Sequence, residues 1–312
     1  MDKPPESQSE IRQDYFRNRF VVVAPKRSLR PDSFASDKSS HKQETNTSPP
    51  IENEPAILTL AGADGSWAVK VIPNRFPALS LDNPKAYGVQ EIVVDTPKHN
   101  TEFSELSTEE IGLVFRAYRL RIEALQKLKA IGYVLVFKND GHAAGASLPH
   151  SHSQIMATSI LPTALIEEAT AADRYTAEHQ TCPYCDLLIW EEQQKVRVIY
   201  EDKHIMAISP YAAEYPFEVW VLPRQHHSSF LDLDGQELAS VAVILKNLTV
   251  KLDQSMISYN FFLQNSLPGR HDHFVLKLEP RPNVWAGFEL GTGIIINPIT
   301  PEYATLWYKG SV

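Results

Sequence analysis

The sequence predicts an α+β protein in which one unit of strands and packed helices, carried on a largely antiparallel sheet, occurs twice. Three observations support this. Landmarks recur at matched spacing in both halves of the 312-residue chain. Each half holds an amphipathic helix opened by a capping box. The strands around those helices are short and rich in aromatic and β-branched residues.

The first copy opens with Glu91-Ile-Val-Val-Asp-Thr-Pro-Lys-His99, and the second with Glu218-Val-Trp-Val-Leu-Pro-Arg-Gln-His226, a strand leading to a histidine in each case. Phe103 and Phe230 follow four residues later, and the capping boxes Ser107-Thr-Glu-Glu110 and Asp234-Gly-Gln-Glu237 begin eight residues after each histidine. In a capping box the first side chain satisfies an orphan amide of the helix start and the fourth returns the bond. Ile111, Val114, Phe115, Tyr118, Leu125 and Leu128 form one apolar stripe, and Leu238, Val241, Leu245 and Leu248 the other. Gly132 is expected to close the first helix. Tyr133–Asn139 and Tyr259–Asn265 then read as strands of equal length. Repetition across so many landmarks predicts a duplication, with units at 1–170 and 171–312. Outside them, residues 1–12 and the Ser36–Glu54 segment are polar and expected to be loose or looped, and a short helix is expected around Thr163–Arg174.

Composition narrows the class. A formal charge of −8 with no basic stripe argues against nucleic acid as a partner. The apolar runs are too short to span a bilayer, and Met1-Asp-Lys-Pro-Pro-Glu-Ser lacks the apolar core of a signal peptide, so a cytoplasmic enzyme is expected. The two cysteines, Cys182 and Cys185, lie in one Cys-Pro-Tyr-Cys element, a metal or redox motif rather than a disulfide framework.

Chemistry concentrates in Asn139-Asp-Gly-His-Ala-Ala-Gly145-Ala-Ser147-Leu-Pro-His150-Ser-His152-Ser-Gln154. Strand alternation puts His150, His152 and Gln154 on one face, and the small residues upstream let backbone amides and Ser147 approach an anion. A neutral imidazole beside such a site suits attack on a phosphoryl group. The plain alternative is a pair of satisfied strand histidines. In the second copy the matching positions are His273, Val275 and Lys277, so the first copy is the candidate catalyst. A rival register pairs His271 and His273 with His150 and His152.

Cys182 and Cys185, with His226 and His273, have the donor types of a tetrahedral zinc site, against a plain loop or a redox pair. His99, matched to His226, becomes a candidate metal neighbour of His150. Arg27 and Arg30 would clamp phosphates, although loop arginines are often merely solvated. Asn74 and Phe76 offer an amide and an aromatic edge to a base, or only a turn into the core. Glu289, among glycines, would accept bonds from sugar hydroxyls, or else belongs to a structural turn.

Together, Ala24-Pro-Lys-Arg27-Ser-Leu-Arg30-Pro, Asn74-Arg-Phe76-Pro, Gly145-Ala-Ser-Leu-Pro-His150-Ser-His152-Ser-Gln154 and Gly287-Phe-Glu289 resemble the galactose-1-phosphate uridylyltransferase branch of the histidine triad superfamily. Cys-Pro-Tyr-Cys and Gly-Thr-Gly-Ile-Ile-Ile-Asn297-Pro look like the subgroup that includes ADP-glucose phosphorylases. The resemblance implies histidine-triad-like units and ping-pong nucleotidyl transfer from a nucleotide sugar. His152 would be the nucleophile, Gln154 would bond the transferred phosphoryl oxygens, and Ser147 with Arg27 or Arg30 would stabilise charge. Asn74 and Asn139 would lie near the nucleoside or phosphates and Glu289 near the hexose. UDP-glucose with hexose 1-phosphate is the first expectation, and ADP-glucose with inorganic phosphate the alternative. A catalytically weak nucleotide-sugar binder and a hydrolase of small nucleotide adducts are further readings. A homodimer is also implied. Relatives carry a Cys-x-x-Cys pair that completes a first zinc site with counterparts of His99 and His150. Asp37 and Ser40 stand there in this chain, so that site is expected to be weak, rebuilt with ligands such as His41, or absent.

Overall fold

A computed structural model of the chain describes residues 8–13, 20–25, 51–146, 148, 150–270 and 272–312. The segments carrying Arg27, Arg30, Asp37, Ser40 and His41, and Ser147 and His271, lie outside the described residues.

The first copy contributes β3 (Leu58–Ala61), β4 (Trp67–Pro73), β5 (Gly88–Val94), α1 (Thr108–Gln126), β6 (Tyr133–Asp140) and β7 (His152–Thr158). The second contributes β8 (Val198–Glu201), β9 (Ile205–Ile208), β10 (Val219–Pro223), α4 (Gly235–Gln254), β11 (Tyr259–Gln264) and β12 (Val275–Pro280). Between them run α2 (Thr163–His179) and α3 (Pro183–Gln194), and α5 (Gly287–Thr292) and α6 (Pro301–Tyr308) follow. At the N-terminal end β1 (Glu10–Gln13) pairs with β2 (Phe20–Val23), so the stretch expected to be loose ends in a strand.

Among the described residues ten strands form one sheet in the order β3-β4-β5-β7-β6-β11-β12-β10-β9-β8. Every junction is antiparallel. The order is the same five-strand path met from both ends, joined where β6 pairs with β11, which is the duplication written in topology.

Both capping boxes form. Ser107 Oγ accepts the Glu110 amide at 3.1 Å while Glu110 accepts the Ser107 amide at 2.8 Å, and Asp234 and Glu237 exchange the same bonds at 2.8 Å. The two helices lie on one face of the sheet, and the main core fills the space between. Phe103 packs on Phe261 and Phe115 on Phe230, each pair with centroids 5.5 Å apart, so each copy's aromatics are buried by the other's. A buried phenylalanine contributes on the order of 2–3 kcal/mol, which makes this seam a principal source of stability.

The matched spacings hide one-residue slips. Glu91 faces the helices and receives a bidentate bond from Arg121 at 2.7 and 2.8 Å, whereas Glu218 lies on the opposite face, bonded to Trp220 Nε1 at 2.8 Å. Val134 and Val136 face the helices in β6, as Tyr259 and Phe261 do in β11, so Tyr133 and Tyr259 are not equivalent. One residue of slip exchanges faces, and burial fixes the register more strictly than residue identity does. Gly132 does not cap α1, which ends at Gln126. It admits the chain into β6 beside Ser159, whose carbonyl would lie 3.1 Å from an added Cβ. The helix expected around Thr163–Arg174 extends to His179, where Gln180 takes a left-handed conformation at φ 61°.

Candidate active site and metal centre

β7 lies between β5 and β6; Ser153 to Thr158 pair with both neighbours, and His152 pairs with β5 alone, opposite Val94. His150, His152 and Gln154 are all buried, at 5%, 6% and 8% exposure. The His152 ring is oriented through Nδ1, 2.8 Å from the His150 carbonyl. A carbonyl can only accept, so Nδ1 carries the proton and Nε2 keeps its lone pair. Burial, with help from the nearby Lys138 charge, pushes the His152 pKa down to about 4, which keeps the ring neutral at physiological pH. The arrangement supplies an oriented, unprotonated nucleophile.

Gln154 accepts a bond from Gln90 Nε2 at 3.1 Å, and Gln90 accepts the Ala78 amide at 3.0 Å. This orients the Gln154 amide with its NH2 group left to donate. Gln90 is not legible in the sequence, because it is one of two adjacent polar residues in β5 and nothing in the pattern sets it apart from Glu91. Asn74, just past β4, takes the Gln90 carbonyl through its amide at 3.0 Å and uses its own Oδ1 to cap Phe76 at 2.9 Å. Asn74 and Phe76 therefore sit beside the Gln90–Gln154 pair.

A cavity of about 360 Å³ opens where β6 ends and β7 begins, lined by Asn139, Gly141, Ala146, Leu148, His150 and His152 among others. Gly141 and Gly145 bound the loop at φ 78° and 84°, in the left-handed region glycine favours. Any Cβ on Gly141 would collide with the Ser258 side chain. Asn139 accepts from Asn260 at 2.9 Å, and Asn260 also holds the Ala144 carbonyl at 2.9 Å, so the second copy braces the first copy's loop. Beneath His152, Lys138 and Asp95 form a buried ion pair at 3.1 Å that includes Ser151 and Ser153. The sequence offered no periodic signal for it.

Glu289 lies apart from this cavity's lining. It caps its own short helix through the Ala286 amide at 3.0 Å, on a segment where Val284, Phe288, Leu290, Ile294 and Ile296 are exposed.

At the other end of the sheet, Cys182 is the N-cap of α3 and Cys185 lies in its first turn. The ligand atoms of Cys182, Cys185 and His226 lie within 4.8 Å of one another, with Cys185 Sγ 3.4 Å from His226 Nδ1. The His273 ring stands 5.2 Å from His226, with Nδ1 at 2.8 Å from the Phe274 carbonyl and Nε2 buried without a partner. An orphaned imidazole lone pair beside two thiols and a second imidazole fits a tetrahedral thiolate–imidazole metal. A helix start is also where redox thiols sit, but those have depressed pKa values. Burial and the neighbouring Cys182 push the Cys185 thiol up to about 12, a repulsion that a cation would relieve. In the first copy His99 and His150 stand in the corresponding arrangement, rings 5.0 Å apart, with His150 Nε2 on the Thr96 carbonyl at 2.6 Å and Nδ1 buried without a partner.

Comparison with known proteins agrees with this geometry. Residues 68–162 match the model for the galactose-1-phosphate uridyl transferase N-terminal domain, and 168–277 the model for its C-terminal domain. ADP-glucose phosphorylase of Arabidopsis thaliana is 32% identical over 95% of this chain and 92% of its own length. Galactose-1-phosphate uridylyltransferase of Thermotoga maritima is 30% identical over 74% of this chain and 80% of its own. The crystal structure of the Arabidopsis thaliana phosphorylase with bound ADP-glucose superposes with a TM-score of 0.76 at 30% identity, covering 97% of this chain and 98% of that one. A uridylyltransferase structure does so at 0.78 and 26%, with the same coverage. By both domain models, and by relatives at 30% identity or above that span most of its length, the chain belongs to the galactose-1-phosphate uridylyltransferase family, whose members are nucleotidyl-transferring enzymes.

Proposed function

We propose that the protein transfers a nucleoside monophosphate from a nucleotide sugar through His152, and the observation that carries this is the buried, neutral His152 ring oriented through Nδ1. In the first half-reaction the Nε2 lone pair attacks the α-phosphorus, the bond from that phosphorus to the bridging oxygen breaks, and sugar 1-phosphate leaves with the electron pair. In the second, an acceptor phosphate oxygen attacks the same phosphorus and returns His152 to its free form. Gln154 donates to a non-bridging oxygen throughout, and Ser147, Arg27 and Arg30 add charge stabilisation. Asn74, Phe76, Asn139 and Gly145 receive the nucleotide. Glu289 serves the hexose, and a homodimer would cover the exposed apolar residues around it.

UDP-glucose with a hexose 1-phosphate acceptor is supported by the two domain models. ADP-glucose with inorganic phosphate is supported by the end-to-end likeness to the plant phosphorylase. Zinc would be held by Cys182, Cys185, His226 and His273, where it would supply structural cross-linking rather than chemistry. A second ion at His99 and His150 would need ligands from outside the described residues. The units 1–170 and 171–312 form one working enzyme, with no nucleic-acid or membrane partner, in the cytoplasm. Among the described residues no helix is long and apolar enough to cross a membrane.

Intact-protein mass spectrometry after incubation with UDP-glucose or ADP-glucose tests the reading. A uridylyl or adenylyl adduct on the wild type, absent in His152→Ala, is expected and names the donor. Binding of both sugars with no adduct would instead make the protein a binder and overturn the proposal.

A further inference from the structure

We infer that the buried Lys138–Asp95 pair is a positioning device for the nucleophile, an inference that rests on the proposed role of His152. Lys138 and Asp95 are each 1% exposed. Lys138 Nζ donates to Asp95 Oδ2 at 3.1 Å, to Ser151 Oγ at 3.0 Å and to the His152 carbonyl at 3.1 Å, which uses all three ammonium protons. Asp95 accepts from Ser151 at 3.1 Å and from Ser153 at 3.0 Å, so both residues flanking His152 are tied to one carboxylate. Tyr118 on α1 closes the chain through Ser153 at 2.6 Å.

The backbone ladder between β6 and β7 stops at Lys138↔Ser153, one residue short of His152. The Lys138 side chain continues the connection by bonding the His152 carbonyl. The imidazole is itself aimed by the His150 carbonyl two residues back. The direction of Nε2 is therefore set by the backbone of residues 150–152, and Lys138 with Asp95 holds that backbone.

The second copy serves as an internal control. Its cross-strand pair in the position of Lys138↔Ser153 is Leu263↔Leu276. Phe274 stands for Ser151 and Pro223 for Asp95, and the leucines and Phe274 are fully buried. The same fold is thus built at these positions from apolar residues in the copy that has Val275 in place of the nucleophile. A buried ion pair generally holds a fold together no better than apolar packing of similar volume, so its presence beside His152 alone calls for a role other than stability.

The test measures single-turnover adduct formation and donor affinity in parallel for wild type, Lys138→Leu/Asp95→Leu and Ser151→Ala/Ser153→Ala. The first double variant copies the second unit's apolar solution and removes both partners of the pair, while Asp140, 3.7 Å from Lys138 Nζ, loses its cation, so the serine variant, which keeps every charge, is measured beside it. The second keeps the ion pair but removes its hold on the residues flanking His152. The expected result is a loss of about 100-fold in adduct rate for the first and about tenfold for the second, with donor affinity within about threefold of wild type, as displacement of a reacting group by about 1 Å predicts. If the first variant fails to fold, the serine variant decides. Adduct rates within threefold of wild type in a folded variant, or rate and affinity falling together, would reduce the pair to a structural one. Absence of any adduct on the wild type would instead remove the proposed function, and this inference with it.

Discussion

If zinc fills the site proposed at Cys182, Cys185, His226 and His273, removing it should unfold α3 and leave the sheet standing. A structural zinc contributes on the order of 10 kcal/mol or more of apparent folding free energy in peptides that depend on it. That is comparable with the whole stability of an ordinary domain, about 5–15 kcal/mol, so the outcome turns on how the loss is distributed. The main core, from Val69 and Val71 through Phe103, Tyr118 and Phe261 to Leu278, includes no residue of α3. α3 rests on a smaller cluster, in which Tyr184 and Leu188 meet Val198, Met206, Ile208, Leu222 and Val275. Two such side chains supply roughly 3–6 kcal/mol of burial, less than the ion contributes, so local opening is favoured over global collapse. The chain has two cysteines, both in the site, so thiol alkylation reads the opening directly. Protein as purified should contain at least one zinc per chain by elemental analysis and resist alkylation. After chelation both thiols should react and the α3 amides should exchange, while the α1 and α4 amides stay protected. Metal-free protein with unreactive thiols, or exchange lost uniformly across both helices, would refute the reasoning.

Two further outcomes follow from side chains outside the cavity at His150 and His152. Glu168, on α2, accepts from Lys277 at 3.1 Å, from Gln264 at 2.8 Å and from Tyr184 OH, so Glu168→Ala removes three bonds, one of them to a charge, and leaves Lys277 with the Trp220 ring; it should cost about 2–3 kcal/mol in urea unfolding, whereas an effect under about 1 kcal/mol would contradict the hub. Glu279 is buried, and despite Arg281 at 2.7 Å its pKa is pushed up to about 7. The unfolded carboxyl titrates near its ordinary value, so the stabilisation from holding Glu279 protonated is complete below about pH 4.5 and is lost as pH rises through about 7. Thermal melts of Glu279→Gln should lack that decline, and parallel profiles for variant and wild type would disprove it.

How much was legible can be seen residue by residue. Capping boxes at Ser107 and Asp234 and the stripes behind them are local signals, since hydrogen bonds three residues apart and a 3.6-residue period need no tertiary information. His150, His152 and Gln154 alternate, so a common face followed from the pleat alone. The Cys-x-x-Cys spacing and two repeat-matched histidines likewise pointed to one cluster. The matched spacings place β10 and β11 one residue out of register because aligned identities such as Glu91 with Glu218 carry no information about which face is buried. Gly132 reads as a helix cap by local rules, whereas its smallness answers to Ser159 across the sheet.

The sequence by itself determined the class, the duplication and which copy carries the His-x-His-x-Gln strand, because these depend on residue type and short-range periodicity. Only the tertiary structure decided that Gln90 orients Gln154, that Asn260 of one copy braces the loop of the other, and that Lys138 and Asp95 meet beneath His152. Asp95 and Lys138 are 43 residues apart in the chain. Their encounter requires β5, β7 and β6 to be stacked in that order, and a free energy shared among three strands leaves no pattern in any one of them.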